Sequence, residues 1–402
     1  MNVIRLFLLL PLFWGILEGR EPSSLYLTWI HDPASTMTVL WHTPRHDKYS
    51  MIFYQKQGQG QEWLKKEGTV KRPSRTDIHV HTVELVDLES DTEYLFRIGR
   101  EGNIYRFKTL PLKLDRDLRF AVGGDAFMYY QLFRKTNLEI AEHNPDFVVI
   151  GGDIAYAHGL QRFKGMNWEV ERWENFFREY RRAMVTSDGR LIPMVVAIGN
   201  HDVPSRMVDP RQKSLLFYEF FPFPQLYVSY RALDAGSYLS LILLDTGHTY
   251  PIDGAQTEWL KANLKSRQPL YKFAAYHVGA YPSVYPYEGS TPAKIRQHWV
   301  PLFESEGVQV AFEHHNHAFK RTFPLKEGKV DPQGVLYLGD GAWGVAPRKP
   351  SKHWYLEKAA QSNCFWLVTL GKEGSTIKAF NEEGKVLDEV MVKPLQPVFS
   401  GS

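Results

Sequence analysis

Cysteine is almost absent from this sequence, since Cys364 is the only one among 402 residues. An internal disulfide framework and a cysteine-based zinc site are therefore excluded. An excess of one charge is also missing, because 48 Lys and Arg residues nearly balance 45 Asp and Glu residues and leave a formal net charge of +3. This balance gives no electrostatic reason to expect nucleic acid or a membrane surface as a partner.

Long apolar runs are missing as well. The apolar run that could be considered as a membrane span, residues 6–17, has 12 residues, whereas a helix that spans a bilayer needs about 20. Arg5 precedes this segment and Gly19 follows it, as in a signal peptide with a small residue near its cleavage site. We therefore expect residues 1–19 to be a signal peptide and the protein to be secreted or periplasmic, without a stable membrane span. An uncleaved anchor is the alternative.

The residues that are present are typical of a soluble globular protein, with 44% hydrophobic, 14% aromatic and 23% charged side chains. Residues 23–110 show short alternations of apolar and polar residues, for example at Leu25, Leu27 and Trp29. This pattern predicts an all-β antiparallel sandwich, and residues 111–117 are then a linker. Strands are expected near residues 25–29, 37–41, 78–82, 94–98 and 105–110.

Two histidines, His79 and His81, lie on the same face of one predicted strand. Such a pair could bind a metal. Because no third ligand is assigned to it, a partly exposed strand face is the preferred interpretation.

From residue 118 the pattern changes to short apolar runs that alternate with longer amphipathic stretches. This change predicts βα units and a layered α/β domain. Aromatic residues recur at helical spacing in residues 168–184 and predict a helix with one buried face. The candidate strands are 119–122, 147–150, 194–198, 238–244, 273–276 and 308–312. Closing strands are expected at 365–370, 377–381 and 386–392, with a hairpin turn at 382–384.

Polar residues follow five of these strands at the point where each strand ends. They are Gly124-Asp125, Gly152-Asp153 through Tyr156, Asn200-His201-Asp202, His277, and His314 through His317. In α/β sheets the ligand crevice lies beyond the carboxyl ends of the strands, so these side chains should meet at one edge. Carboxylate and amide oxygens combined with imidazoles suit iron, zinc or manganese. The sequence therefore predicts a metal centre.

In this order the five segments resemble the GDxG, GDxxY, GNH(D/E), VxxH and GHxH motifs of the purple acid phosphatases, a family of metallophosphoesterases. Segments 81–109 are similar to that family's N-terminal domain, and residues 243–246, 256–260 and 339–341 are similar to its later signatures. The resemblance implies a fibronectin-III-like domain at 23–110 and a four-layer α/β/β/α calcineurin-like metallophosphoesterase domain at 118–393.

The resemblance also implies two metal ions that share one carboxylate. Fe(III) is expected on Asp125, Asp153, Tyr156 and His317. A divalent ion, Zn, Mn or Fe, is expected on Asp153, Asn200, His277 and His315. The implied activity is hydrolysis of phosphate monoesters at acidic pH, in which a metal-bound hydroxide attacks phosphorus.

Other site residues have weaker assignments. His201 is expected to contact the phosphate or protonate the leaving oxygen, and Asp202 to orient His201 or lie at the surface. Tyr281 and Tyr285 are expected substrate contacts, because the histidines that many family members carry in this stretch are missing. His314 is expected to point away from the metals and His158 to lie in an exposed loop.

The sequence leaves open two alternative functions and the oligomeric state. A phosphodiesterase on the same dinuclear site is one alternative, since fold and metals do not fix the ester class. A non-catalytic metal-binding or adhesion-type protein is another. The expected partner is a small phosphorylated substrate, and a homodimer is possible.

Overall fold

The computed structural model describes residues 22–58, 60, 62–159, 168–209, 215–339 and 341–396. The predicted signal peptide at residues 1–19 lies outside these ranges. Among the helices in the described part of the chain, none has the length and apolar character needed to cross a bilayer.

The N-terminal part is a sandwich of two four-stranded antiparallel sheets, as the alternating pattern predicts. The strands are β1 Ser24–Thr28, β2 Met37–Pro44, β3 Met51–Lys56, β4 Leu64–Glu67, β5 Thr69–Lys71, β6 Ile78–Leu85, β7 Glu93–Ile98 and β8 Tyr105–Lys108. One sheet has the order β1-β2-β6-β5 and the other β4-β3-β7-β8. The first strand is buried on both faces, because one face lies against the second sheet and the other against the C-terminal domain.

His79 and His81 are buried rather than partly exposed, so that expectation is wrong. The His81 ring stacks on Trp41 at 4.7 Å between centroids, and its Nε2 lies 2.7 Å from Thr43 Oγ1. Nδ1 of His79 lies 2.8 Å from the Asp47 carbonyl oxygen. Both imidazoles therefore serve the packing and hydrogen bonding of the sandwich.

The C-terminal part contains two mixed sheets. Its strands are β9 Leu118–Gly123, β10 Phe147–Gly151, β11 Met194–Ala197, β12 Arg231–Ala235, β13 Leu239–Leu244, β14 Tyr271–Val278, β15 Val310–His314, β16 Phe319–Thr322, β17 Leu325–Lys326, β18 Lys329–Val330, β19 Leu336–Gly339, β20 Leu356–Ala360, β21 Phe365–Leu370, β22 Ser375–Phe380 and β23 Val386–Val392. The sheet orders are β11-β10-β9-β21-β22-β23 and β12-β13-β14-β15-β19-β16-β20, and β17 pairs with β18.

Six helices are described: α1 Tyr130–Glu142, α2 Trp168–Ala183, α3 Leu216–Phe220, α4 Ala255–Ser266, α5 Ser290–His298 and α6 Val300–Ser305. The helix predicted at 168–184 is α2, and its buried face carries Trp173, Phe176, Phe177 and Tyr180. The helices α1 to α3 cover one sheet through a common apolar cluster, and α4 to α6 cover the other. The expected α/β/β/α order is confirmed.

The apolar core between the two sheets continues into the sandwich without interruption. Leu27 and Trp29 belong to the same buried cluster as Phe147 and Phe273. The Trp29 ring meets the Phe147 ring edge to face, with 5.7 Å between centroids. On the opposite face of β1, Tyr26 stacks on Phe177 of α2 at 4.1 Å. The two domains therefore share one core.

The linker at residues 111–117 is held by polar contacts to both domains. The guanidinium of Arg116 donates to Asp146 through two nitrogens, at 2.7 and 3.0 Å, and to Asp91 of the sandwich at 2.7 Å. The phenol of Tyr238 donates to the Pro111 carbonyl at 2.9 Å. Together these contacts fix the direction in which the chain leaves the sandwich.

Candidate metal centre and substrate cavity

The predicted ligands meet at the carboxyl ends of five strands. Asp125 follows β9, Asp153 and Tyr156 follow β10, Asn200 follows β11, His277 lies in β14, and His315 and His317 follow β15. Strand β14 runs two residues beyond its predicted end at 276. The pairing of β14 with β15 shifts register between Ala275 and Val278, and such irregularities in a ladder re-aim side chains next to active sites.

Five of these side chains extend from residues in the left-handed region of backbone conformation. They are Asp125 (φ 57°), Asp153 (φ 52°), Tyr156 (φ 52°), His315 (φ 78°) and His317 (φ 60°). Non-glycine residues adopt this region at a cost, and such conformations cluster at functional sites where the surrounding fold imposes them. The sharp turns after β9, β10 and β15 thereby direct the side chains toward a common centre.

One group of ligands is rich in oxygen. The phenol of Tyr156 donates to Asp125 Oδ1 at 3.0 Å, and Nε2 of His317 lies 2.9 Å from the same oxygen and 3.1 Å from the phenol oxygen. The other carboxylate oxygen of Asp125 accepts the backbone N–H of His315 at 2.8 Å. Three ligand atoms from three different loops thus converge within hydrogen-bonding distance.

The second group is rich in nitrogen. Nε2 of His277 lies 3.0 Å from Asn200 Oδ1, 3.2 Å from His315 Nδ1 and 3.2 Å from Asp153 Oδ2. One ligand atom from each of Asp153, His277 and His315 lies within 4.8 Å of the others, a spacing that could hold a metal ion. Nδ1 of His277 lies 3.0 Å from the Gly151 carbonyl, which leaves Nε2 to face the centre.

Asp153 belongs to the nitrogen-rich group by distance, and its charge also acts on Tyr156 of the oxygen-rich group. Its Oδ1 accepts the backbone N–H of His201 at 2.6 Å. Its Oδ2 is buried and has no hydrogen-bond partner among the residues that the structure describes. Nε2 of His277 lies 3.2 Å from this oxygen, and a buried carboxylate oxygen is favourable only beside such a basic group or a bound cation. The donor set and this oxygen therefore fit a metal ion.

The electrostatics of the centre also call for a cation. Burial opposes the charged form of His277, but the Asp153 and Asp125 carboxylates overcome it and raise the pKa of His277 to about 10. Burial and then the charge on His277 lower the pKa of His315 to about 3. Burial and the Asp125 carboxylate raise the pKa of the Tyr156 phenol well above its usual value. The shifts show that the carboxylates of this centre favour a positive charge beside them.

Asp202 bonds to the backbone rather than to the His201 ring. Its carboxylate accepts the N–H groups of Gly199, Asp153 and Ile154 at 2.8 to 2.9 Å. The side chain is 1% exposed, so a surface position is wrong. Burial and the Asp153 carboxylate raise the pKa of Asp202 to about 8. The placement indicates that Asp202 fixes the loop that presents Asp153.

His201 lies beside the centre, with its ring stacked on Tyr156 at 4.6 Å between centroids. Nδ1 lies 2.7 Å from the His158 carbonyl, and Nε2 lies 3.9 Å from Asp153 Oδ2. The backbone carbonyl can only accept, so Nδ1 carries the hydrogen of that bond. His158 itself is half-buried and pairs with Glu169 at 3.1 Å, rather than lying in an exposed loop.

The two tyrosines predicted to contact substrate occupy different places. Tyr281 is 1% exposed and packs with Tyr337 and Tyr355 in the core under the second sheet, so its ring does not reach the surface. Tyr285 is 38% exposed and stacks on His315 with 5.0 Å between centroids. The guanidinium of Arg348 donates to the Tyr285 hydroxyl and lies over its ring. No motif or spacing in the sequence singles out Arg348.

His314 is buried and turned away from the ligands. Its ring fills the space beside Gly124 and Gly151, where an added Cβ would come within 2.7 and 1.8 Å of the imidazole. Glycine at these two positions therefore makes room for the histidine. Neither ring nitrogen has a partner in the described part of the chain.

A cavity of about 300 Å³ opens beside the nitrogen-rich group. Two predicted ligands, Asn200 and His315, form part of its wall, together with Tyr285. Arg206 and His248 also line it, and sequence reasoning missed both. Neither residue stands directly after a strand, where the predicted ligands were found. Whether either side chain reaches the cavity depends on how its loop folds.

Comparisons with known proteins cover both domains. A family model described as the purple acid phosphatase N-terminal domain matches residues 22–109, and one described as calcineurin-like phosphoesterase matches residues 76–331. Purple acid phosphatase 18 of Arabidopsis thaliana is 28% identical over 354 residues, covering 83% of this chain and 73% of that protein. Purple acid phosphatase 21 of the same plant is 26% identical over 281 residues, and the chain spans 58% of its length.

Two solved structures resemble this fold over 92% of the chain. A purple acid phosphatase isolated from yellow lupin (Lupinus luteus) seeds matches with a TM-score of 0.73 at 16% identity, covering 74% of that chain. PhoD matches with a TM-score of 0.68 at 13% identity, covering 89% of that chain. At these identities the structural matches show the fold.

Proposed function

Because this chain belongs to the purple acid phosphatase family and carries its calcineurin-like phosphoesterase domain, we propose that it hydrolyses phosphate monoesters at acidic pH with an Fe(III) ion and a divalent metal ion. The family membership supports phosphoester hydrolysis by a metallophosphoesterase. The metal identities, the ester class and the acidic pH are the finer parts of the proposal.

The observation that carries the proposal is the convergence of Asp153, His277 and His315, whose ligand atoms lie within 4.8 Å of one another, on a buried carboxylate oxygen, Oδ2 of Asp153, that makes no hydrogen bond to the described residues. A carboxylate has two oxygens and would be able to serve as a ligand shared by two ions. Asp125, Tyr156 and His317 would hold the Fe(III) ion with Asp153, since a phenolate and carboxylates are hard anionic donors. Asn200, His277 and His315 would hold the divalent ion with Asp153.

When bound, such a metal pair neutralises charge on the phosphoryl oxygens and acidifies water at neutral or acidic pH. The chain's own residues do the rest. Glycine turns and the backbone bonds of Asp202 hold the ligands in place before substrate arrives. The Tyr285 ring, fixed on His315 and by Arg348, forms one wall of the approach.

His201 would act on the leaving side of the substrate. Its Nδ1 is committed to the His158 carbonyl, so Nε2 is the atom that faces the centre. When Nε2 also carries a proton, the imidazolium can donate a hydrogen bond to a phosphate oxygen or that proton to the leaving oxygen. The ring cannot turn away without losing both the bond to His158 and the stack on Tyr156.

The test combines metal content, colour and paired kinetics. We expect two metals per chain, including iron, and a visible absorption band from Tyr156 bound to Fe(III). Tyr156→Phe should remove the band, whereas the matched control Tyr285→Phe should keep it. The protein should hydrolyse an aryl phosphate monoester faster than the corresponding diester at pH 5–6.

Each part can fail by itself. A colourless protein with stoichiometric Fe(III) would contradict the role of Tyr156. A preference for the diester with an alkaline optimum would contradict the monoesterase assignment and leave the metal centre intact. Protein that binds no metal would favour a non-catalytic role.

A further inference from the structure

The cavity beside the metal centre contains a positive charge that no carboxylate in its described wall offsets. Arg206 lines it, and its guanidinium donates to Thr291 Oγ1 at 2.8 Å. In the portion of the chain that the structure covers, no carboxylate pairs with Arg206. No Asp or Glu lies among the described residues of the cavity wall. An arginine without an anionic partner in a concave site favours an anionic ligand.

His248 adds a second, independent feature. It lines the same cavity and is 2% exposed, and its Nδ1 has no hydrogen-bond partner within the described residues. The other ring nitrogen, Nε2, lies 3.0 Å from Thr246 Oγ1. A buried polar atom without a partner is unfavourable unless a ligand or water completes it.

The hydrogen bonds around Thr246 are compatible with a hydrogen on Nδ1 of His248, which would make it a donor. The backbone N–H of Val278 donates to Thr246 Oγ1 at 3.1 Å. If this hydroxyl gives its own hydrogen to Nε2, both groups are satisfied and the ring hydrogen lies on Nδ1. A charged imidazole carries a hydrogen on Nδ1 as well.

The loop that carries His248 is built rigidly. Asp245, at the end of β13, accepts the backbone N–H groups of Gly247, His248 and Thr249 at 2.6 to 3.0 Å. It also accepts the Ser229 hydroxyl at 2.8 Å. The loop therefore holds His248 in one position without help from a ligand. The start of α5, at Ser290, lies in the same wall and adds the positive end of a helix dipole.

We propose that this cavity is a subsite for a second anionic group of the substrate, a carboxylate or a phosphate, bound by Arg206 and His248. The inference rests on the proposed function, because the first phosphate is taken to bind at the metal centre. It narrows the substrate class to phosphate esters that carry a further negative charge next to the ester.

The test measures binding and not turnover. Metal-loaded protein is titrated calorimetrically with three non-hydrolysable probes: propylphosphonate, 3-phosphonopropionate and 1,3-propanediphosphonate. The last two carry the second anionic group, and comparing them distinguishes carboxylate from phosphate. We expect at least one of them to bind about tenfold more tightly than propylphosphonate, the effect of one charge-assisted hydrogen bond.

Arg206→Gln should reduce the ratio of the affinity for the doubly anionic probe to that for propylphosphonate to near unity. Arg206→Lys should retain part of this ratio, because the charge remains while the planar guanidinium with its paired N–H donors is lost. Arg45→Gln is the matched control. It removes the same charge from an arginine that is 64% exposed in the sandwich, and it should leave the preference unchanged.

Equal binding of all three probes by the wild type would overturn the subsite. So would a preference that survives in Arg206→Gln. Hydrolysis of an aryl phosphate by the same metal-loaded preparation is recorded in parallel. Loss of hydrolysis with a retained preference would contradict the proposed function and leave the subsite standing, so the two failures are distinguishable.

Discussion

At the scale of single residues, Asp153 combines an unusual backbone conformation with an unusual side-chain environment. Its φ of 52° is tolerated by asparagine as well as by aspartate. Asp153→Asn therefore removes the charge and keeps the turn. We expect fewer than two metals per chain and a fall in kcat/KM of at least about 100-fold.

Elemental analysis of the purified variant checks this prediction. Asp234→Asn is the control, because its carboxylate pairs with Arg267 at the surface. A variant that kept both metals and normal turnover would show that Asp153 is not shared between them.

Residues differ in how far their role can be predicted from sequence. The metal ligands are recognisable because each follows a buried strand, so its position is set by the sheet. Tyr281 could not be placed, since its burial depends on how a loop folds under the second sheet. The orientation of Arg206 and of His248 depends in the same way on loops whose geometry has no short sequence signal.

At the scale of elements, the loop after β11 depends on one carboxylate. Asp202 accepts three backbone N–H groups, two of which belong to the loop that follows β10. It therefore joins two loops that carry ligands. Asp202→Asn keeps the shape of the side chain but replaces one acceptor oxygen with a donor.

We expect Asp202→Asn to lower the free energy of unfolding by about 1–3 kcal/mol, the cost of leaving a buried donor unsatisfied. We also expect weaker retention of metal during dialysis against a chelator, although Asp202 is not a proposed ligand. Denaturant unfolding and metal analysis against Asp234→Asn measure the two effects. Unchanged metal retention would contradict the linkage between the loops.

The core strands of the α/β domain were predictable because most of their residues are apolar. Strands β21 and β23 have the bounds that the pattern predicts. The edge strands β4 and β5 were not predicted, since Leu64–Glu67 and Thr69–Lys71 are mostly exposed and carry little apolar signal. Their pairing is imposed by neighbouring strands.

At the scale of the whole molecule, an ion pair joins the domains. His42 Nδ1 of the sandwich lies 2.5 Å from Glu174 Oε1 of α2. Burial opposes the charge on Glu174, but His42 outweighs it and lowers the pKa of the Glu174 carboxyl below its usual value. A depressed pKa in the folded state means that the carboxylate stabilises the fold above about pH 4.5, and that this contribution is lost as the pH falls further.

Glu174→Gln should therefore lower the free energy of unfolding by about 1 kcal/mol at pH 7. The difference from the wild type should shrink as the pH falls below 4.5. Urea unfolding at several pH values measures it, with Glu171→Gln on the exposed side of α2 as the control. A difference that is constant from pH 7 to pH 4 would assign the effect to packing.

The common core of the two domains limits how this family can exchange parts. Tyr26 in β1 and Trp29 directly after it point to opposite sides, and each contacts the α/β domain. A catalytic domain transplanted from a relative would meet a foreign sandwich along both faces at once. The linker looks like a domain boundary in the sequence. Exchanging domains there should nevertheless yield insoluble hybrids, unless the contact residues on α2 and β10 are transferred together with the sandwich. In this chain the sandwich and the α/β domain therefore form one packing unit, and the sandwich is not an independent module.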